Sequence, residues 1–397
     1  MNGSSKPERE QRRRPATVAS VPSDPRPVLL RQSLIALTAE LQRHGFEAYR
    51  AKQIYHWLYK RAVASVEQMS NLPTAIREWL AAFYRFGGGE IVDRRDSRDG
   101  STKHVSALWD GQRIESVLMR EDDRRTLCVS SQVGCPLGCL FCMTGVGGFV
   151  RNCSSDEVVG QYLAARRLLG AGEKPITHIV FMGMGEPLLN CDAVFEAIRR
   201  LTDPQAVGLS PRRITVSTAG VAEGIRRLGE AKLGVKLAVS LNASTEDQRG
   251  RLMPLGRRDK LTDVLAACRQ FPLPRQHRIT FEYVLLEGVN DSPQDARRLA
   301  EMLRGLRCKI NLIPFNPVAG LLPFRRPPQE RIEEFQKILL DRNYTVCIRY
   351  SKGADIGAAC GQLAGHAGAQ ILYDAHGSLE SDRPSKPASR ARQQKKR

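Results

Sequence analysis

The stretch CVSSQVGCPLGCLFC, residues 128–142, places four cysteines, Cys128, Cys135, Cys139 and Cys142, in one short run. The last three form a C-x3-C-x2-C pattern. Gly134, Pro136 and Gly138 lie among them, so the backbone can wrap a metal centre. Four thiolates suit a closed zinc site or a fully ligated iron–sulfur cluster. Three thiolates on a four-iron cluster leave one iron open, and an open position is what a reactive site keeps. Spacing alone therefore supports two readings. One is a [4Fe–4S] cluster on Cys135, Cys139 and Cys142. The other is a zinc site completed by Cys128 or Cys153.

The run also sits inside a repeating pattern. RTLCVSS (125–131) reads as a strand that ends at the cysteine loop. Further strands are expected at 177–183, 212–218, 235–241, 278–285, 308–314 and 344–350. Helical periodicity falls between them, at 156–170, 192–203, 221–230, 262–270, 292–305 and 328–342. Ser154 and Glu157 have capping-box spacing at the first of these helices. Repeated strand–helix units predict a parallel sheet with right-handed crossovers. The fold class is α/β, as a partial TIM-type (β/α)6 barrel over residues 124–370. Each strand breaks into small or polar residues at its C-terminal end: MGMGEP (182–187), STAG (217–220), SLNA (240–243), PFNP (314–317) and SKGAD (351–355) among them. That rim is where a parallel barrel gathers its active site.

Upstream, residues 31–87 predict a small helical domain carried by Leu34, Leu37, Leu41, Ile54, Trp57 and Leu58. Arg50, Lys52, Lys60 and Arg61 are expected on its outer, basic face. Residues 88–123 predict a connecting β-hairpin around Asp110-Gly111. Glu115 lies on its second strand, where a lone carboxylate is most often solvated.

The net charge is +19, of which +3 lies in residues 1–30 and +5 in residues 377–397. The remaining +11 belongs to the body, and a body this basic attracts a polyanion such as RNA. Residues 1–30 and 371–397 read as disordered basic tails. No segment reads as a membrane span or secretory leader. The seven histidines show no paired metal-ligand spacing. Ten cysteines, scattered outside the one cluster, argue for a reducing, cytoplasmic compartment rather than a disulfide scaffold.

C-x3-C-x2-C with Phe141 before its last cysteine resembles the radical S-adenosylmethionine (SAM) superfamily. TLCVSSQVGC, MGMGEPLLN, INLIPFNP and AACGQL together resemble its RlmN family, within the Cfr/RlmN branch, over roughly residues 30–370. The resemblance implies a [4Fe–4S] cluster on Cys135, Cys139 and Cys142, with SAM on the open iron and two SAM consumed per turnover. It implies methylation of C2 of adenine 2503 in 23S rRNA and of adenine 37 in tRNAs. The Cfr-type C8 methyltransferase is the alternative. Cys360 would carry the methyl group as S-methylcysteine. A protein–RNA crosslink would form there, and Cys128 would resolve it through a transient disulfide. Glu115 would be the proton acceptor. Gly185, Glu186, Ser217, Ser240, Leu241, Asn242 and Asn316 would contact SAM. A flavodoxin-type electron donor and a monomeric state are the implied setting. Two departures stand out: Asn242 where the family often has His, and Gly357 where an acid is common.

Overall fold

The computed structural model describes residues 24–170, 172–254, 259–318 and 322–364. The readings of residues 1–23 and 365–397 lie outside them.

Capped, apolar-periodic segments build the N-terminal unit. The Ser33 hydroxyl accepts from the Ala36 N–H at 3.0 Å and starts α1 (Leu34–Arg43). α2 (Arg50–Tyr55) runs into a π-helical turn, His56–Arg61, and α3 (Thr74–Phe83) begins straight after Pro73. Leu37, Leu41, Ile54, Leu58, Ile76 and Leu80 pack as one core. Packing begins before residue 31, which corrects the tail boundary at residue 30. Val28, Leu29 and Leu30 are buried, and the Leu29 N–H donates to the Arg85 carbonyl at 2.9 Å.

Three antiparallel strands follow: β1 (Glu90–Asp96), β2 (Thr102–Ala107) and β3 (Arg113–Glu121). The hairpin expected as a connector is instead the start of the main sheet. β3 pairs with β4 (Arg124–Cys128), which opens the parallel part. Next come β5 (Gln132–Gly134), α4 (Met143–Val146) and β6 (Phe149–Asn152), with β5 and β6 forming a small ribbon around the cysteine loop. The capping box at Ser154 and Glu157 is present and starts α5 (Ser155–Arg167).

The strand–helix units then run in order. They are β7 (His178–Phe181), α6 (Cys191–Thr202), β8 (Ile214–Thr218), α7 (Ala222–Glu230) and β9 (Lys236–Ser240). After these come α8 (Glu246–Leu252), α9 (Leu261–Gln270), β10 (Ile279–Leu285) and α10 (Pro293–Met302). The last are β11 (Cys308–Pro314), α11 (Gln329–Leu340) and β12 (Val346–Ile348). The ten-stranded sheet has the order β1-β2-β3-β4-β7-β8-β9-β10-β11-β12 and is parallel from β4 onward. Six βα units plus the short β12 form the partial barrel.

Strand pairing does not close this barrel among the described residues; the segment after β12 does. Lys352 Nζ donates to the Arg120 carbonyl at 3.2 Å, the Gly353 N–H to Asp99 at 2.7 Å, and Lys103 Nζ to the Gly357 carbonyl at 3.2 Å. The last segment is thereby tied across to β2 and β3.

The helical unit docks on α5 and α6. Arg166 donates to the Tyr59 and Lys60 carbonyls at 2.9 and 2.6 Å, and Arg200 to the Gln32 carbonyl at 2.8 Å. Lys60 donates to the Val207 carbonyl at 3.3 Å, so it faces the barrel rather than the expected outer face. No helix among the described residues is long and apolar enough to cross a membrane.

Candidate active site

The cysteine loop is set by backbone geometry. Gly134 and Gly138 adopt positive φ, and a Cβ on Gly134 would sit 2.0 Å from the Gly148 carbonyl oxygen. Cys135 and Cys139 are buried and Cys142 is half-buried. Cys139 and Phe141 pack with Leu252, Met253, Leu286 and Phe315, which anchors the loop above the strand ends. Burial pushes the Cys135 thiol up to about 12 and the Cys139 thiol well up, and the neighbouring thiols add to this. Three thiols within one glycine-shaped loop are a donor set that fits an iron–sulfur cluster. Among the described residues no three His, Cys, Asp or Glu side chains converge on a single ion-sized point.

The MGMGEP turn lies against the β4 end. A Cβ on Gly185 (φ +93°) would sit 2.5 Å from Gln132 Cβ, and one on Gly183 would sit 2.8 Å from the Val129 backbone. Glu186 is buried. Its carboxylate accepts from the Leu188 N–H at 3.0 Å and the Ala219 N–H at 2.7 Å. Burial raises it to about 7 against those hydrogen bonds. It thus joins the ends of β7 and β8. Ser217 is buried near the β8 end, and Ser240 ends β9 with its hydroxyl donating to Glu282 at 3.3 Å. Leu241 is fully buried. Asn242 takes the left-handed conformation (φ 55°), and its Oδ1 accepts from the Val284 N–H at 2.9 Å. That side chain is committed to the protein.

The Cys360 loop lies over the cysteine loop. The Met143 N–H donates to the Gly361 carbonyl at 2.7 Å. Asn316, buried after β11, donates to the Ser351 hydroxyl at 2.9 Å and the Cys360 carbonyl at 3.2 Å. Gly357 has φ +64°, a conformation that an acid would adopt only with strain. Glu115 is buried, not solvated. Its Oε1 lies 3.4 Å from Lys103 Nζ and its Oε2 accepts from the Ala364 N–H at 3.2 Å. Lys103 and Glu115 therefore hold the Cys360 segment at Gly357 and Ala364, on either side of Cys360 in the chain.

A cavity of about 350 Å³ runs inside the barrel. Cys128, Cys142 and Cys360 all line it, with Glu282, Asn311 and Ser351. Cys128 is buried at 8% exposure. Cys360 is exposed and lines this cavity. Burial and Glu282 push the Cys360 thiol up to about 11, while a hydrogen bond from Ser351 favours its thiolate. Burial and Cys360 raise the Cys128 thiol, while the Met182 N–H favours its thiolate.

The sequence reading missed four polar residues here: Arg249, Glu282, Asn311 and Ser351. Arg249, 1% exposed, donates to the Ala219 carbonyl at 2.8 Å and braces the β8 end. Glu282 and Asn311 carried a usable signal. Each interrupts an apolar parallel strand, in ITFEYVL and CKINLIP.

Comparisons with known proteins agree with this architecture. Residues 129–300 match the model of the radical SAM superfamily, and residues 29–85 match that of the ribosomal RNA large subunit methyltransferase N-terminal domain. The dual-specificity RNA methyltransferase RlmN of Anaeromyxobacter dehalogenans is 47% identical over 345 residues, covering 86% of this chain and 91% of that protein. The Geobacter sulfurreducens protein of the same name is 48% identical over 321 residues, covering 81% and 87%. A crystal structure of a radical SAM methyltransferase from Sphaerobacter thermophilus superposes with a TM-score of 0.83 at 43% identity, covering 86% of this chain and all of that one. A radical SAM enzyme works with SAM and a [4Fe–4S] cluster. The cysteine loop, the helical unit and the partial barrel are thus those of a SAM-dependent RNA methyltransferase, and the chain belongs to the RlmN family.

Proposed function

We propose that this enzyme methylates C2 of adenine, at position 2503 of 23S rRNA and position 37 of tRNAs, through a methyl group carried on Cys360. One observation carries the reading. Cys128 and Cys360, far apart in sequence, line one cavity with Cys142 of the cysteine loop.

Cys135, Cys139 and Cys142 would hold the cluster. Gly185 and Glu186 would receive the methionine end of SAM, with Ser217, Ser240, Leu241, Asn242 and Asn316 around the rest. Asn242 would contribute through an N–H group, because its Oδ1 accepts from Val284 and its carbonyl from Asn290. Bound there, SAM and the cluster supply methyl groups and a radical that takes hydrogen from a methyl group.

The chain's own residues do the rest. C2 of adenine is electron-poor and a poor nucleophile, whereas a thiolate accepts a methyl group readily. Cys360 takes that role, its loop held by Asn316 and the Met143 N–H. The carbon on Cys360 becomes joined to C2, a covalent protein–RNA link. Glu115, oriented by Lys103, accepts the C2 proton. The Cys128 thiolate then attacks the Cys360 sulfur, which frees the product and leaves a disulfide. The adenine must arrive unstacked, since its edge is inaccessible inside a helix. The basic body and the helical unit hold the RNA backbone. Electrons enter from a reduced partner of flavodoxin type. The enzyme works as a monomer in the cytoplasm, where reduced thiols persist.

Two variants test this. Cys128→Ala is expected to purify with RNA covalently attached and its iron content unchanged. Cys360→Ala is expected to transfer no methyl group to RNA. Loss of iron from Cys128→Ala, or continued methylation by Cys360→Ala, would refute the assignment.

A further inference from the structure

The crosslink chemistry leaves one proton without an acceptor. Glu115 is assigned to the C2 proton, and it is already engaged by Lys103 and the Ala364 N–H. The Cys128 thiol must also lose its proton before it can attack, and it is buried. Glu121 lines the far end of the same cavity, where it faces Lys352 at 3.9 Å. The other carboxylate in that cavity is Glu282.

Glu282 sits mid-strand in β10, 9% exposed, and points into the barrel. In the parallel register it lies level with Ser240 on β9 and Asn311 on β11. Ser240 donates to it at 3.3 Å, and Asn311 also hydrogen-bonds to it. Lys309 and Arg349 favour its ionised form, and Cys128 and Cys360 line the same cavity. Asn311 Oδ1 is buried without a hydrogen-bond partner among the described residues, although the residue lines the cavity. A carboxylate inside an apolar barrel strand is costly to bury and contributes nothing to packing that an apolar residue would not.

We propose that Glu282 accepts the Cys128 thiol proton when the protein–RNA crosslink is resolved; this rests on the crosslink reading above. The step balances. The Cys128 S–H proton passes to the Glu282 carboxylate. The sulfur lone pair forms the S–S bond with Cys360. The bond from the Cys360 sulfur to the methylene carbon breaks, and its electron pair stays on carbon. That carbon takes up one proton and becomes the methyl group on C2. The two sulfurs together lose two electrons, the carbon gains them, and no outside oxidant is needed. Burial raises the Glu282 carboxyl toward the thiol, which makes the transfer less uphill.

The test uses the full-length reconstituted enzyme with RNA and SAM. Glu282→Gln is expected to accumulate covalent protein–RNA adduct, as Cys128→Ala does. It should release that adduct about 10²-fold more slowly than the wild type. Release should speed up as pH rises, because hydroxide then replaces the missing base. Iron content, Cys360 methylation (by peptide mass) and SAM cleavage should stay at wild-type levels. Glu282→Asp should recover much of the release rate. Wild-type release by Glu282→Gln would overturn the proposal. So would loss of Cys360 methylation or of SAM binding, which would assign Glu282 to an earlier step. Loss of fold in Glu282→Gln with full activity in Glu282→Ala would overturn it as well. If Cys128→Ala itself gives no adduct, the crosslink reading fails first, and that result is separate.

Discussion

Gly185 shows what a single residue decides here. Its φ of +93° and the 2.5 Å approach of Gln132 leave no room for a side chain. Gly185→Ala should therefore move the 183–186 turn away from Gln132 at the start of β5 and cost about 1–3 kcal/mol. Because Glu186 lies next in the chain, SAM affinity should fall too; equilibrium binding and thermal unfolding measure both. Other residues were legible to different degrees. The cysteine triplet stood out by spacing, which left a cluster and a zinc site both open. Glu282 and Asn311 each interrupt an apolar strand, but that they lie level emerges only when β10 pairs with β11. Glu115 looked like a solvated strand carboxylate. The partners that bury it, Lys103 and Ala364, stand on another strand and at the far end of the chain.

At the scale of elements, the strand–helix alternation was readable because each parallel strand is an apolar run that ends in small polar residues. The hairpin's role was not. Asp110-Gly111 announces a turn, but sheet membership depends on the pairing of Leu118 with Leu127, which local sequence does not carry. α8 went unread because it spans only Glu246–Leu252. The docking of the helical unit also rests on non-local contacts, chiefly Arg166 reaching the carbonyls at Tyr59 and Lys60. These carbonyls lie at the end of the π-helical turn, where they lack helical donors. Arg166→Ala should loosen that joint by about 1–3 kcal/mol. Hydrogen exchange should rise in residues 50–62 and stay unchanged in β7 to β11. Uniform exchange across both regions would show that the joint does not depend on Arg166.

For the whole molecule, charge and reaction are linked. A body carrying +11 should bind RNA with strong salt dependence, log K falling by about 0.7 per phosphate contact on a log-salt scale for single strands. Filter binding at increasing salt checks this, and a flat profile would remove the electrostatic account of RNA capture. The partial barrel holds the cavity that Cys128 and Cys360 share, with residues 352–357 tied across it to β2 and β3. The central claim is that this space delivers a methyl group to C2 of adenine. Mass spectrometry of nucleosides from RNA treated with the reconstituted enzyme tests it most directly. C2 chemistry yields 2-methyladenosine; 8-methyladenosine alone would rule it out.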